Sequence, residues 1–390
     1  LPPERLVPWL ALHLLPNIGP LTARRALELH GDPLEVAFRI PGSAWRALPG
    51  VDDAIVDGIL SVRKTLMRRV EAEWQAAVQA DARIVAREDA DYPALLALLP
   101  DAPLVLYLRG TVAPTRVRVA MVGSRRATAY GRDTARRLAG GLARSGVEVV
   151  SGGARGIDTY SHRGALEANG STLAVLGCGL AHIYPPENGE LFERIERSGG
   201  IVSEFPIGMA PLPENFPRRN RLIAGLSAAT VVVEATGKSG SLITAGFALE
   251  QGREVMAVPG PVDSEQSRGC HRLIQQGAKL VQSADEVLEE LSPMYRNALL
   301  PSLANEPPRS GGSQDSGELE TLGQDERAVL SLFDDPRPVH VDALADVAPL
   351  GVARLQAALF GLALKGRIDP MAGGYYVARP RNPGHGPDER

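Results

Sequence analysis

MVGSRRATAYGRDTARRLAGGL, residues 121–142, joins a strand pattern to a helix pattern through a basic turn. It carries the end of a β-type run, Val117–Val122, through glycine and serine into a helical pattern. Alanine and leucine at 135, 138, 139 and 142 share one helical face, while Arg132, Arg136 and Arg137 fall elsewhere on the helix. Strand, turn and helix in this order open a phosphate-binding α/β unit, with the anion at the helix start. The turn holds Arg125 and Arg126 in place of a dense glycine loop. Its backbone N–H groups, the Ser124 hydroxyl and the Arg125 guanidinium all suit a phosphate.

Outward from this unit the same alternation continues. Strands are predicted at 83–86, 104–108, 117–122, 147–151, 172–176, 200–203, 230–233 and 254–257. The later ones are short, rich in valine and apolar on both faces, as strands of a buried parallel sheet are. Helices are predicted between them at 133–145, 159–168, 191–198 and 244–251. The expected class is α/β: an extended Rossmann-like, doubly wound, mostly parallel sheet with its site at the carboxyl ends of the strands.

Both ends of the chain read differently. Residues 1–80 are expected to be a helical domain, with Ile18-Gly19-Pro20 as a helix-hairpin-helix turn and LPGVDDAIVDGIL as a weaker second copy. Asp52 and Asp53 after the second turn repel phosphate, so both DNA contact and protein packing stay open for this domain. Residues 81–291 form the Rossmann-like domain, and 292–324, rich in proline, glycine, serine and acids, a flexible linker. Residues 325–378 give three helix patterns and a strand-turn-strand around Gly373-Gly374, a winged-helix plan; 379–390 is expected to be a disordered tail. The third of these helices carries Arg354 and little else that is basic before Lys365 and Arg367, which favours protein contact or structure over base reading.

Four loops in the α/β domain fall just after strands. The first is Gly123-Ser124-Arg125-Arg126. The second, VVSGGARGID at 149–158, spaces Gly152, Gly153 and Gly156 around Ala154 and Arg155, with Asp158 at the next helix start. The third, ENFPRRNRLIAGLS at 214–227, places Arg218, Arg219, Asn220 and Arg221 beside Phe216, ahead of an apolar helix, where a backbone clamp could join a stacking platform. The fourth, from 231, contains Gly237-Lys238-Ser239-Gly240-Ser241. A Walker A loop needs glycine five positions before Gly237; Val232 stands there, so an ATPase is excluded. With Arg268 these loops make an anion-binding rim. Several basic loops on one rim suit a longer polyphosphate, such as a nucleic-acid strand, better than a mononucleotide.

Charge supports that reading. The net charge is −4, yet from 115 to 146 eight arginines (116, 118, 125, 126, 132, 136, 137, 144) face one acid, Asp133. From 281 to 330 ten acids face three arginines. A basic stripe for a polyanion and a solvated helix face both fit the first stretch. No run of about 18 apolar residues and no signal peptide is seen. Cys178 and Cys270, far apart, fit a reducing cytoplasm and form no metal-ligand pattern. No metal or cofactor is expected. His162 reads as a structural hydrogen-bond donor, and Cys270-His271 as no nucleophile–base pair on adjacency alone. Glu234 at a strand end is the best lone catalytic candidate, the acid of an alternative nucleotide-monophosphate hydrolase, though capping a neighbouring turn explains it as well.

In order, VGSRRATAYG, VVSGGARGIDTYSHRGALEANGSTLAVLGCGL, IYPPEN, IVSEFPIGMAPLPENFPRRNRLIAGLS and VVVEATGKSGSLITAGFALEQGREVMAVPG resemble the bacterial DNA processing protein A family, also called Smf. The likeness covers about residues 104–285. It implies a binding protein and no enzyme, one that holds and protects incoming single-stranded DNA in natural transformation and loads RecA recombinase onto it. It also implies a homodimer through the Rossmann-like domain, a sterile-alpha-motif or helix-hairpin-helix module before that domain and a winged helix after it. The residues it carries over are Gly123, Ser124 and Arg125; Gly152, Ala154, Gly156 and Asp158; Arg218 to Arg221; and Lys238 to Ser241. The family has asparagine where His271 stands after Cys270. A third expectation is a scaffold that meets recombinase through the winged helix or the acidic linker.

Overall fold

The computed structural model describes residues 1–291, 295, 323–333, 338–348, 350–364, 367–371 and 374–378. They belong to two units, a larger one through Leu291 and a smaller C-terminal one. Most of the linker expected at 292–324, the tail at 379–390, Lys365 and Gly373 lie outside the described residues.

The larger unit is organised by one nine-stranded sheet: β1 (Arg83–Ala86), β2 (Val105–Gly110), β3 (Arg118–Val122), β4 (Glu148–Ser151), β5 (Thr172–Val175), β6 (Gly200–Ser203), β7 (Ala229–Val232), β8 (Glu254–Ala257) and β9 (Lys279–Leu280). Their spatial order is β1-β2-β6-β5-β4-β3-β7-β8-β9. From β6 to β9 every pairing is parallel; β1–β2 and β2–β6 are antiparallel. All residues of β3, β4, β5, β6 and β7 are buried, which explains why these strands read as mostly apolar on both faces. The expected strands are present within a residue or two; β9, only two residues long, has no counterpart in the sequence reading.

Seven helices precede the parallel core: α1 (Val7–His13), α2 (Pro20–His30), α3 (Pro33–Phe38), α4 (Gly42–Arg46), α5 (Asp53–Arg63), α6 (Leu66–Gln79) and the short α7 (Ala94–Ala97). Gly19 caps α2 in an extended conformation with Pro20 in the first turn, and a Cβ on Gly19 would meet nothing within 4 Å. Asp52 caps α5, accepting the Ile55 N–H at 2.9 Å. Leu10, Leu12, Trp45 and Ile59 share one core with Tyr107, Leu176 and Ile201 of the sheet layer. The Glu73 carboxylate of α6 accepts the Ile207 N–H at 2.7 Å, anchoring the loop after β6.

Seven more helices wrap the sheet: α8 (Ala129–Arg144), α9 (Ile157–Glu167), α10 (Gly189–Ser198), α11 (Asn215–Gly225), α12 (Gly240–Glu250), α13 (Arg268–Gln275) and α14 (Ala284–Glu290). Helices α9 and α10 begin slightly earlier than the apolar pattern suggests; three others, α8, α11 and α12, begin a full turn or more earlier, and caps explain two of these. Thr128 caps α8 through a bond from the Gly131 N–H, and Ser239 caps α12. The third start corrects a functional expectation. Helix α11 begins at Asn215, so Arg218, Arg219 and Arg221 lie inside it rather than in a loop before it. Pro217 is tolerated there because first-turn N–H groups have no helical acceptor.

Charge is also redistributed. Arg118 is buried against Glu148 at 2.5 Å, with Arg116 at 3.3 Å from the same carboxylate. Arg136 pairs with Glu167, and Arg137 donates to the Gln282 carbonyl at 3.0 Å. The basic stretch from 115 to 146 is therefore not one stripe; half of its arginines are engaged internally.

In the smaller unit, helices Gln324–Leu330, Val341–Val347 and Val352–Leu364 accompany a three-stranded sheet of β10 (Val339–His340), β11 (Ile368–Met371) and β12 (Tyr375–Ala378) in the order β10-β12-β11. Val329, Leu344, Leu355, Leu359, Leu362 and Ile368 form its core. Arg354 makes a two-pronged bond to Asp325 at 2.7 and 2.9 Å, a structural use of that arginine.

Candidate nucleic-acid interface

The order of strands reverses at β3, where the chain moves towards β4 on one side and β7 on the other. Loops leaving the carboxyl ends of such neighbours diverge to opposite faces and leave a crevice. A cleft of about 310 Å³ opens there, lined by Gly123, Arg125, Ala154, Asp158, Tyr184, Phe216, Arg219, Asn220, Gly240, Ser241 and Thr244, with Pro211 and Pro213 on one wall.

The first loop is set by its neighbours. The Ser124 N–H donates to the Glu234 carbonyl at 2.7 Å, and the Ser124 carbonyl accepts from Ile157 at 3.1 Å. The buried Ser124 hydroxyl accepts the Arg126 N–H at 3.0 Å, so Ser124 shapes the turn. Gly156 has φ +77°, and a Cβ there would collide with the Ser124 carbonyl, so only glycine lets the first two loops touch. Arg125 is left exposed, its guanidinium 5.5 Å from the Phe216 ring centroid. Arg126 is exposed as well but does not line the cleft.

The third loop behaves differently because it is a helix. At about 100° per residue α11 sends its arginines in three directions. Arg218 is exposed, 5.7 Å from the Phe205 ring. Arg219 is buried and donates to the carbonyls of Gly152, at 2.8 Å, and Val175. Arg221 pairs with Glu204 and donates to the Asp101 carbonyl at 2.8 Å. A three-arginine surface clamp at 218–221 is thus not formed: Arg219 is the floor of the cleft and Arg221 a structural tie. Asn220 lines the cleft and donates to the Gly240 carbonyl at 3.3 Å.

Asp158 lies beside Arg219. A Cβ on Gly152 would meet both Arg219 Nη2 and Asp158 Oδ2 at 2.7 Å, so Gly152 is the gap that lets them approach. Burial raises the Asp158 pKa, opposed by the Arg219 charge and the Ala154 N–H. Burial lowers Arg219 to about 10, which leaves it charged at neutral pH. This carboxylate lines the cleft beside the Arg219 guanidinium.

Around this floor the remaining residues fall into three groups. Ser239, Gly240 and Ser241 start α12 on the cleft side, with the two serine hydroxyls 2.8 Å apart, while Lys238 is exposed just outside. Arg155 is exposed on an adjoining recess with Tyr184 and Phe216, paired to Glu187. Arg268 is exposed at the start of α13, away from the cleft lining, so the rim does not extend to it as expected.

The catalytic candidates are occupied. Glu234 is buried, accepts the Thr128 N–H at 3.0 Å and the Thr128 hydroxyl, and does not line the cleft; it holds the cap of α8. The Cys270 thiol is buried under the Val232 carbonyl and pushed up to about 12 by burial, while His271 Nε2 lies 3.0 Å from the Gly260 carbonyl. His162 is buried, 2.7 Å from the Thr172 hydroxyl. Among the described residues no group of acids, histidines or cysteines could hold a metal, and no helix is long and apolar enough to cross a membrane.

Tyr184, Pro211 and Pro213 line the cleft without standing out in the sequence, whereas Thr244 belongs to the helix start at 241–244 that suits phosphate. Tyr184 meets Phe216 at 5.3 Å between ring centroids, making an aromatic pair in the cleft. Its only sequence signal is the segment IYPPEN, which lies outside the four basic loops.

Residues 83–292 match the family model for DNA recombination-mediator protein A, and residues 314–374 that for the DprA winged helix domain. Protein Smf of Synechocystis sp. is 33% identical over 398 residues, covering 95% of this chain and 98% of that protein. Protein Smf of Escherichia coli is 41% identical over 290 residues, covering 74% of this chain and 75% of that protein. The X-ray structure of DNA processing protein A from Streptococcus pneumoniae is similar at a TM-score of 0.62 and 34% identity, covering 73% of this chain and 96% of that one.

Proposed function

The chain belongs to the DNA recombination-mediator protein A family, and from that premise we propose that its strand-end cleft binds single-stranded DNA without reading sequence. One observation carries the reading: the cleft joins an exposed arginine, Arg125, to an aromatic pair, Tyr184 and Phe216. Phosphates meet the Arg125 guanidinium, the α12 start at Ser239 to Ser241 and Lys238; unpaired bases meet the rings. Arg126, Arg155 and Arg218 add field around the rim.

Bound strand is shielded from nucleases and handed to RecA recombinase during transformation or recombination, in the cytoplasm, by a protein acting as a homodimer through its Rossmann-like domain and not as an enzyme. Residues 1–80, 81–291 and 325–378 serve as three domains in this scheme, the first two packed into one unit, with 292–324 as linker and 379–390 as tail. Deleting 292–390 should spare DNA binding and weaken recombinase loading.

The test is binding of a dT oligomer across salt. Log affinity should fall against log salt with a slope of about 0.7 per neutralised phosphate. R125A and K238A should each weaken binding and flatten that slope, for all sequences alike. Wild-type affinity in both variants at every salt concentration would remove the cleft assignment. The hydrolase alternative loses its support, since Glu234 is spent on Thr128; base release from a nucleotide panel, abolished by E234Q, would reinstate it.

A further inference from the structure

Tyr160 sits between two guanidiniums, with Arg132 at 5.7 Å and Arg163 at 5.4 Å from its ring centroid. Both arginines are exposed and the ring is half-buried. Neither arginine has a carboxylate at ion-pair distance among the described residues, whereas Arg116, Arg118 and Arg136 nearby all do. The acids in the neighbourhood, Asp133 and Glu167, act on Arg136. Two like charges are therefore gathered on one ring with no internal anion between them. Stacking on the ring fixes each guanidinium plane while leaving its N–H edge free.

The position of this triad follows from the packing of two helices. A Cβ on Gly164 of α9 would collide with the Arg136 carbonyl of α8, so the helices cross at close range. That crossing sets Arg132, in the first turn of α8, beside Tyr160, in the first turn of α9. These helices leave directly from the two loops that form the cleft rim, and those loops touch at Ser124 and Gly156. At 1.5 Å of rise per residue, the triad stands about 5–10 Å from the rim. Arg125 and Arg126, both exposed, occupy the turn that precedes α8.

We propose that Arg132, Tyr160 and Arg163 form a second contact site for the same nucleic-acid strand, binding its phosphates as it leaves the cleft and passes onto the α8–α9 surface. This rests on the reading of the cleft as a single-strand site. The occupant is a continuous single strand because the triad adjoins the cleft and its two cationic edges suit successive phosphates of one strand.

Strand length separates the two sites. Wild type, R125A and an R132A/R163A double variant are titrated with a dT oligomer of about 6 nucleotides and one of about 30, in several salt concentrations, with thermal melting alongside. The double variant should bind the short oligomer as wild type does. It should bind the long one roughly tenfold more weakly, with its log–log salt slope reduced by about 1.4 for two lost phosphate contacts. R132K/R163K, which keeps the charge, should restore most of that slope. If the alanine pair melts early, R132Q/R163Q removes the charge and keeps the stems, with the same expectation. Unchanged binding of the long oligomer overturns the second site, as does an equal loss at both lengths or a loss confined to duplex DNA. R125A without effect at either length would instead sink the cleft reading.

Discussion

Arg125 and Arg219 approach the same Phe216 ring, at 5.5 and 6.0 Å from its centroid, from opposite conditions. Arg125 stands on the turn after β3, exposed to solvent. Arg219 comes from α11, buried, with its donors committed to the Gly152 and Val175 carbonyls. The first can meet a ligand's charge, whereas the second holds two strand-end loops together and balances Asp158. One residue type thus supplies both the charge of a site and the scaffold beneath it, and burial decides which.

The largest effect should come from the buried partner. R219M leaves two carbonyls unpaired and Asp158 uncompensated, and should cost about 3 kcal/mol in urea unfolding. R219M/D158N should recover part of that loss. If R219M unfolds like wild type and only weakens DNA binding, the division between scaffold and ligand arginines is wrong.

Burial acts on another side chain in the same layer. His162 is lowered from 6.5 to about 3 by desolvation, so it stays neutral in the fold. The unfolded chain takes up this proton below about pH 6.5 and the folded one only near the depressed value. The contribution is complete above the unfolded value and is lost as pH falls through that window, by about 2 kcal/mol at pH 5. H162Q should flatten the acid limb of stability measured between pH 7 and 5, while DNA affinity at neutral pH stays unchanged.

The ring between the two arginines offers a third test. F216A removes a stacking face and should weaken single-strand binding by about 1 kcal/mol, with no change in salt slope because no phosphate contact is lost. A flattened slope would mean that Phe216 acts by orienting Arg125.

The smallest change should come from an exposed pair. Arg155 is tied to Glu187, whose pKa is lowered by that bond. E187Q should release Arg155 and raise DNA affinity about threefold at low salt, with the gain fading as salt screens it. A gain that survives high salt would point to a direct clash with the strand.

Much of this architecture is legible along the chain. Strands β3, β4, β5 and β7 declare themselves because burial on both faces favours valine, alanine and leucine, with the few polar members, such as Arg118 and Glu148, paired inside. The rim loops declare themselves through glycine at Gly152 and Gly156, where a side chain would block contact. Less legible is what each polar group does. Glu234 reads as a catalytic acid or a cap, and only the arrival of Thr128 from another loop chooses the cap. Tyr184 carries no charge or periodic signal that marks it for a cleft.

The alternation of strand and helix and the basic character of the loops at the carboxyl ends of the strands are written in the residues themselves. These follow from local periodicity and from which backbones need glycine. Tertiary structure alone decided which arginines face solvent. An arginine's environment is set by the phase of its helix and by carboxylates and carbonyls distant in the chain, such as Glu148 for Arg118 and Val175 for Arg219. Charge counted along a chain is conserved in folding; its exposure is not.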